Sequence, residues 1–395
     1  MTVGTPPARR GGNSSKLGDG SLLRALVRAP LRSVVAYDPG PSMAELGARF
    51  GVTSLVKLNW NEDLFGLLPG VREAVIEELV RAPLYPEQAY GDFREAVAAW
   101  TGAEPDWIVP AHGIQSLVLT IVTAFVNPGE RVVVPSPTYG LYRQACEASG
   151  AQLVVVPNHG LRLDLEAMAL AARGSKLVFV CDPNNPTGDA LAPGEWTRFL
   201  EALPDGCVVA VDEAYADYMA HDERPTRVED VASARPVVLL RTFSKLFGIA
   251  GLRLGFAVLH PALVPCLDAV QEPFNLNRPA LAAGMACLSD RAVVEARRSE
   301  VVAARDAFTL GLERAGFACA PSQANFVLVD AGVDDMALFE GMVRRGFLIR
   351  PGSEFGLAGR ARITVGPRAL MDEVVEAMVA VREEIRNRAA DTNPL

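Results

Sequence analysis

Histidine is nearly missing from this chain: 395 residues hold four, at positions 112, 159, 221 and 260, and none stands at metal-ligand spacing from another histidine or a cysteine. A His-built metal site and a Ser/His triad are therefore not expected. Cysteine is sparse too. The six at 146, 181, 207, 266, 287 and 319 include no Cys-x-x-Cys pair, and several lie in apolar runs. A thiol there behaves as a small hydrophobe, so no disulfide or metal framework is expected either. No apolar run reaches the length of a membrane span. The first 20 residues are rich in Gly, Pro, Ser and Arg and lack the apolar core of a targeting signal, which reads as a disordered leader on a cytoplasmic protein. Dense basic runs are also absent, and 38 Lys and Arg against 47 Asp and Glu leave a net charge of −9. Neither nucleic acid nor a membrane surface is an expected partner.

What the chain has in quantity is apolar surface: half its residues are hydrophobic, and its length allows two or three domains. Strand-like runs at 131–135, 152–157, 176–181, 207–211, 237–241 and 254–259 are separated by helical patterns such as Leu141–Ala148, Leu165–Ala172 and Glu195–Leu203. That alternation predicts an α/β fold, with a mostly parallel sheet flanked by helices. From about Arg291 the pattern changes to a long helix through Ala315, a strand at Asn325–Val329 and a helix at Met336–Arg345. Strands near Phe347–Arg350 and Arg362–Val365 and a closing helix to about Asn387 complete a smaller α+β unit.

Three strand ends carry chemistry. The apolar run Val237-Val-Leu-Leu240 leads into Arg241-Thr-Phe-Ser-Lys245, so the hydroxyls of Thr242 and Ser244 and the amine of Lys245 emerge together, and Arg253 follows two glycines. Two hydroxyls and a guanidinium suit a phosphate dianion, and an amine with a lowered pKa forms a Schiff base with an aldehyde. Those are the requirements of pyridoxal 5'-phosphate. Upstream, Leu177-Val-Phe-Val-Cys-Asp-Pro-Asn-Asn-Pro-Thr-Gly188 ends a strand in a turn containing Asn185, and Cys207-Val-Val-Ala-Val-Asp-Glu-Ala-Tyr215 ends one in Asp212 and Tyr215. Ligands bind at the carboxyl edge of a parallel sheet, where these residues would converge. Asp212 suits a pyridine nitrogen that must stay protonated, with Asn185 and Tyr215 as partners for the ring oxygen. Each segment alone is also an ordinary turn or helix start; their co-occurrence in this order is the signal.

From about Tyr37 to the last helix, the chain resembles the fold-type I, class I/II pyridoxal-phosphate aminotransferases, and among them the histidinol-phosphate aminotransferases. Besides the three strand ends, the resemblance rests on Tyr37-Asp-Pro-Gly40, Lys57-Leu-Asn-Trp-Asn-Glu62 with Gly66, Leu84-Tyr-Pro86, Pro135-Ser-Pro-Thr-Tyr-Gly140, Pro321-Ser-Gln-Ala-Asn-Phe326 and Arg362-Ile-Thr-Val-Gly366. It implies that backbone amides of Gly113, Ile114 and Gln115, opening a helix over Ile114–Val126, receive the cofactor phosphate, and that Tyr139 stacks on the ring. It implies Arg362 for a substrate carboxylate, Arg350 for a second substrate anion, and Tyr37 and Asn61 at the substrate. Tyr85 would reach a partner subunit's phosphate, making a homodimer with shared active sites. The expected organisation is a leader over 1–20, an arm over 21–56 packing with the small domain, a large cofactor-binding domain over 57–285 and a small domain over 286–395. Two places depart from the family's pattern. His112-Gly-Ile-Gln115 stands where Asn-Gly and small or acidic residues are usual, and Asp63-Leu64 replaces an Asn-Pro pair. The implied activity moves an amino group between an amine, L-histidinol phosphate as the first choice, and 2-oxoglutarate. An aromatic or other amino-acid aminotransferase, and an amino-acid phosphate decarboxylase on the same scaffold, are the alternatives.

Overall fold

The computed structural model describes residues 21–35, 40–87, 89–192, 194–219 and 227–391. The expected leader, Tyr37 and His221 lie outside the described residues. The strands are β1 (Val56–Lys57), β2 (Ile108–Ala111), β3 (Arg131–Ser136), β4 (Gln152–Pro157), β5 (Leu177–Cys181), β6 (Val208–Asp212) and β7 (Val237–Thr242). They continue as β8 (Gly255–Leu259), β9 (Ala318–Cys319), β10 (Phe326–Asp330), β11 (Phe347–Leu348), β12 (Arg350–Pro351) and β13 (Arg360–Thr364).

Seven of them form one sheet in the order β2-β8-β7-β6-β5-β3-β4. The apolar strands β5, β6 and β8 are buried along their whole length, as strands covered by helices on both faces must be. Only β8 runs against the rest, pairing antiparallel with β7 and β2. The sheet is thus the expected mostly parallel one. The sequence reading did not anticipate β2, because its four residues include Pro110 and look like a turn. It sits on the sheet's edge, where the missing proline N–H breaks no ladder.

A second hydrophobic core, built around Phe308, Met342, Ile349, Ile363 and Met378, fills the C-terminal unit. Its sheet, in the order β12-β13-β10-β9, is antiparallel throughout. The helices Arg291–Arg314, Asp335–Arg344 and Arg368–Asp391 lie where the apolar pattern put them.

A strap joins the two units. β1 pairs parallel with β11, Leu58 is buried in the second core, and Thr364 N donates to Leu58 O at 2.9 Å. The strap then runs through Asn59, Trp60 and Asn61, residues that line the same cavity as the strand ends of the large sheet. Asp63 fixes its far end: Arg297, from the long helix, donates to both carboxylate oxygens at 3.1 Å and to Gly66 O at 2.8 Å. The departure from Asn-Pro at 63–64 therefore has a partner, an ion pair almost closed to solvent. No helix among the described residues is long and apolar enough to cross a membrane.

Candidate active site

The carboxyl ends of β5, β6 and β7 open into a cavity of about 330 Å³, lined also by the strap and by Arg350, Phe355 and Arg362 of the C-terminal unit. Lys245 lies three residues beyond β7. Its Nζ donates to Asn61 O at 2.9 Å and Trp60 O at 3.1 Å. Burial, then the nearby Arg362 guanidinium, push its pKa down to about 7. Much of it is therefore neutral amine near neutral pH, as a nucleophile requires.

Asp212 ends β6 and is 3 % exposed. One carboxylate oxygen accepts from Tyr142 Oη at 2.6 Å and the other from Ala214 N at 3.0 Å. Burial pushes its pKa up to about 6 against the opposing pull of these donors and of Lys245. A buried carboxylate of this kind gains from a cationic N–H. Tyr215 Oη accepts from Asn61 Nδ2 at 2.9 Å, and burial raises its phenol pKa. Asn61 can present its side chain and carbonyl to the site because it holds φ of 55°, a conformation that asparagine tolerates. Asn185 Oδ1 accepts from Arg362 Nη1 at 2.5 Å, and Arg362 Nη2 donates to Asn59 O at 2.5 Å.

An anion cradle completes the cavity wall. Gly113 opens the helix Gly113–Phe125 with φ of 78°, and a Cβ there would stand 2.8 Å from Arg253 Nη2. Gly255 permits the same close approach, since its Cβ would lie 3.1 Å from Gly113 Cα. The guanidinium thus packs directly against a helix N-terminus, where unpaired amides favour an anion. Ser244 lies within weak reach of Arg253 Nη1 at 3.5 Å, and Ser244 N donates to Thr242 Oγ1 at 3.0 Å. Thr242, Ser244, Ile114 and Gln115 also line the cavity, as does Tyr139.

Of the sequence-predicted residues, Tyr85 stays apart. It is 78 % exposed, stacks on Phe274 at 4.7 Å and does not line the cavity. Tyr37 lies outside the described residues. Tyr142 went unnoticed in the sequence. It follows Tyr139 by less than a helical turn, is fully buried, stacks on Phe179 at 4.7 Å and meets Tyr139 edge-on at 5.4 Å. Its signal was the second tyrosine in Tyr139-Gly-Leu-Tyr142, which reads equally well as core. Also unforeseen was a buried charge cluster behind the strand ends. Arg227 bonds Asp182 and Glu213, and Arg241 bonds Glu213 at 2.6 Å and Asp217 at 3.2 Å. It ties the ends of β5, β6 and β7 to one another.

A phosphate-bearing pyridine aldehyde fits these residues. The cradle at Gly113 is one that a Cβ would fill, the buried acid wants a cation, and the amine is primed. The buried Asn59 Oδ1 in the same wall has no hydrogen-bond partner among the described residues. Comparison with known proteins agrees. A family model described as aminotransferase class I and II matches residues 53–378. A histidinol-phosphate aminotransferase of Symbiobacterium thermophilum is 38 % identical over 91 % of this chain and 99 % of its own length. One of Moorella thermoacetica is 34 % identical over 89 % and 92 % respectively. Among solved structures, a histidinol-phosphate aminotransferase of Sinorhizobium meliloti in complex with pyridoxal-5'-phosphate superposes with TM-score 0.84 and 28 % identity, covering 91 % of this chain and 98 % of that one. Sequence, architecture and cavity chemistry lead to one assignment: the chain belongs to the class I and II aminotransferase family and is a pyridoxal-phosphate-dependent transaminase acting on amine and keto-acid substrates.

Proposed function

We propose that this transaminase exchanges the amino group of L-histidinol phosphate with 2-oxoglutarate, as a biosynthetic enzyme of the cytoplasm. The observation that carries the reading is the pair Arg350 and Arg362, register partners on β12 and β13 that both line the cavity. They offer two guanidinium groups to a substrate bearing a distal anion, whether a phosphate or the second carboxylate of a keto acid. The curated relatives named histidinol-phosphate aminotransferases support the choice of amine.

In this reading Gly113, Ile114 and Gln115, through their amides, and Thr242, Ser244 and Arg253 hold the cofactor phosphate. Tyr139 lies against the ring, Asp212 takes the ring N–H, and Asn185 and Tyr215 take the ring oxygen. Pyridoxal phosphate supplies a carbonyl for amine exchange and a protonated ring that draws electrons from the substrate carbon. Lys245 would hold the cofactor through its amine, and as the free base its Nζ would take the proton from the amine-bearing carbon. Asn61 and Trp60 carbonyls, 2.9 and 3.1 Å from Nζ, hold that amine at the cavity. Arg362 binds the carboxylate of the keto acid, Arg350 the distal anion, and Asn61 lies at the substrate.

The same reading divides the chain at 57 and 286 and makes it a homodimer, with Tyr85 entering the partner's site. Leu79, Val80, Leu84 and Tyr85 are each more than half exposed, an apolar stretch that a second copy would cover. The test is a single-turnover absorbance scan of the cofactor-loaded protein without keto acid. Bleaching of the yellow band by L-histidinol phosphate and recovery with 2-oxoglutarate are expected. Bleaching by another amine alone replaces the substrate, and carbon dioxide release without bleaching moves the protein to the decarboxylases.

A further inference from the structure

Arg350 does not face the cavity alone. Four residues on, Glu354 also lines it, and its Oε2 meets Arg350 Nη2 at 2.5 Å. The backbone that carries Glu354 is fixed. The turn Gly352–Phe355 is held by Asp335, which accepts Ser353 N at 2.8 Å and Gly359 N at 3.0 Å, and Gly352 packs where a Cβ would come within 2.7 Å of Arg360 O. The Phe355 ring lies against both arginines, with Arg362 at 5.2 Å and Arg350 at 5.9 Å from its centroid. The Glu354 side chain, by contrast, is 42 % exposed while that of Arg350 is 13 % exposed. Its carboxylate therefore has room to leave a guanidinium that has little room to follow.

We propose that Glu354 is a specificity-determining residue, an internal anion that occupies the distal seat at Arg350 and must be displaced by the substrate's phosphate. This rests on the reading of Arg350 as the distal-anion contact. With the Glu354 carboxylate 42 % exposed, water competes for it and the pair is weaker than a fully buried one. A dianion making charge-assisted bonds to Arg350 outcompetes the single carboxylate, whereas a neutral or weakly charged side chain does not. The seat therefore selects by charge and releases anionic products readily.

The test measures competitive inhibition of the cofactor-loaded enzyme by inorganic phosphate, for the native chain, Glu354→Gln and Arg350→Ala. Glu354→Gln is expected to tighten phosphate inhibition by about two- to fivefold at low ionic strength. The gain should shrink in high salt, which screens exposed charges, and the KM for a phosphorylated amine should fall more than that for an unphosphorylated one. Unchanged or weaker phosphate binding in Glu354→Gln, with clear loss in Arg350→Ala, overturns the internal-anion role and leaves the distal subsite standing. No loss in Arg350→Ala overturns both.

Discussion

Lys245 and Asp212 are ionisable groups placed where their charged forms are poorly solvated, and each is shifted toward neutrality as a result. For the lysine, burial and Arg362 both disfavour the cation, so its base form accumulates as pH rises through about 7. In the cofactor-free protein, modification of Lys245 by an amine-directed reagent is expected to follow an apparent pKa of about 7. Arg362→Met, which removes the neighbouring cation, should move it upward; a pKa near the ordinary lysine value of about 10.4 in the native chain would refute the assignment. Lys245→Ala should still fold and lose amino transfer by about 10²–10⁴-fold or more, the weight of a positioned base, as read by single-turnover absorbance. Tyr142 acts on Asp212 through the 2.6 Å bond, which favours the carboxylate. Tyr142→Phe removes that donor, so the Asp212 pKa should rise, measurable by carbon NMR of labelled aspartate. The lost bond to a charged group is expected to cost about 1.5–3 kcal/mol of stability.

Among elements, the strap from β1 to Gly66 matters most, because its carbonyls hold Arg362 and Lys245 while its own ends are held elsewhere. Asp63 with Arg297 anchors its far end. Arg297→Ala leaves a carboxylate with 2 % side-chain exposure without its cation. That is expected to cost about 3–5 kcal/mol in denaturant unfolding and to weaken amino transfer by loosening the Lys245 carbonyl contacts. Normal stability in this variant would show that the strap is held by its packing in the second core instead. The charge cluster of Arg227, Arg241, Asp182, Glu213 and Asp217 has the corresponding task on the sheet side. It joins three strand ends that also carry Asn185, Asp212 and Lys245.

At the scale of the whole molecule, the proposed homodimer puts a second copy over the exposed apolar stretch Leu79–Tyr85. Val80→Glu should therefore lower the sedimentation coefficient to that of a monomer and reduce transfer activity together with it. A fully active monomer would remove Tyr85 from the site. Much of this protein was legible in its residues. Apolar runs marked six strands of the large sheet, and the strands buried on both faces, β5, β6 and β8, are apolar almost along their length. The three strand-end segments marked Lys245, Asp212 and Asn185, since those chemistries depend on residue type and on strand ends that a parallel sheet gathers at one edge. Less local features were not legible. β2 was hidden because Pro110 reads as a break until the sheet has an edge to place it on. Tyr142 was hidden because a buried tyrosine looks the same in sequence whether its hydroxyl meets a backbone carbonyl or a buried carboxylate at the cavity wall. The sequence by itself determined the fold class and the cofactor chemistry, because apolar period and residue type are local properties. Tertiary structure alone decided which arginine meets which carboxylate, what holds Asp63, and what environment shifts Lys245. Those depend on distances and burial between segments far apart in the chain.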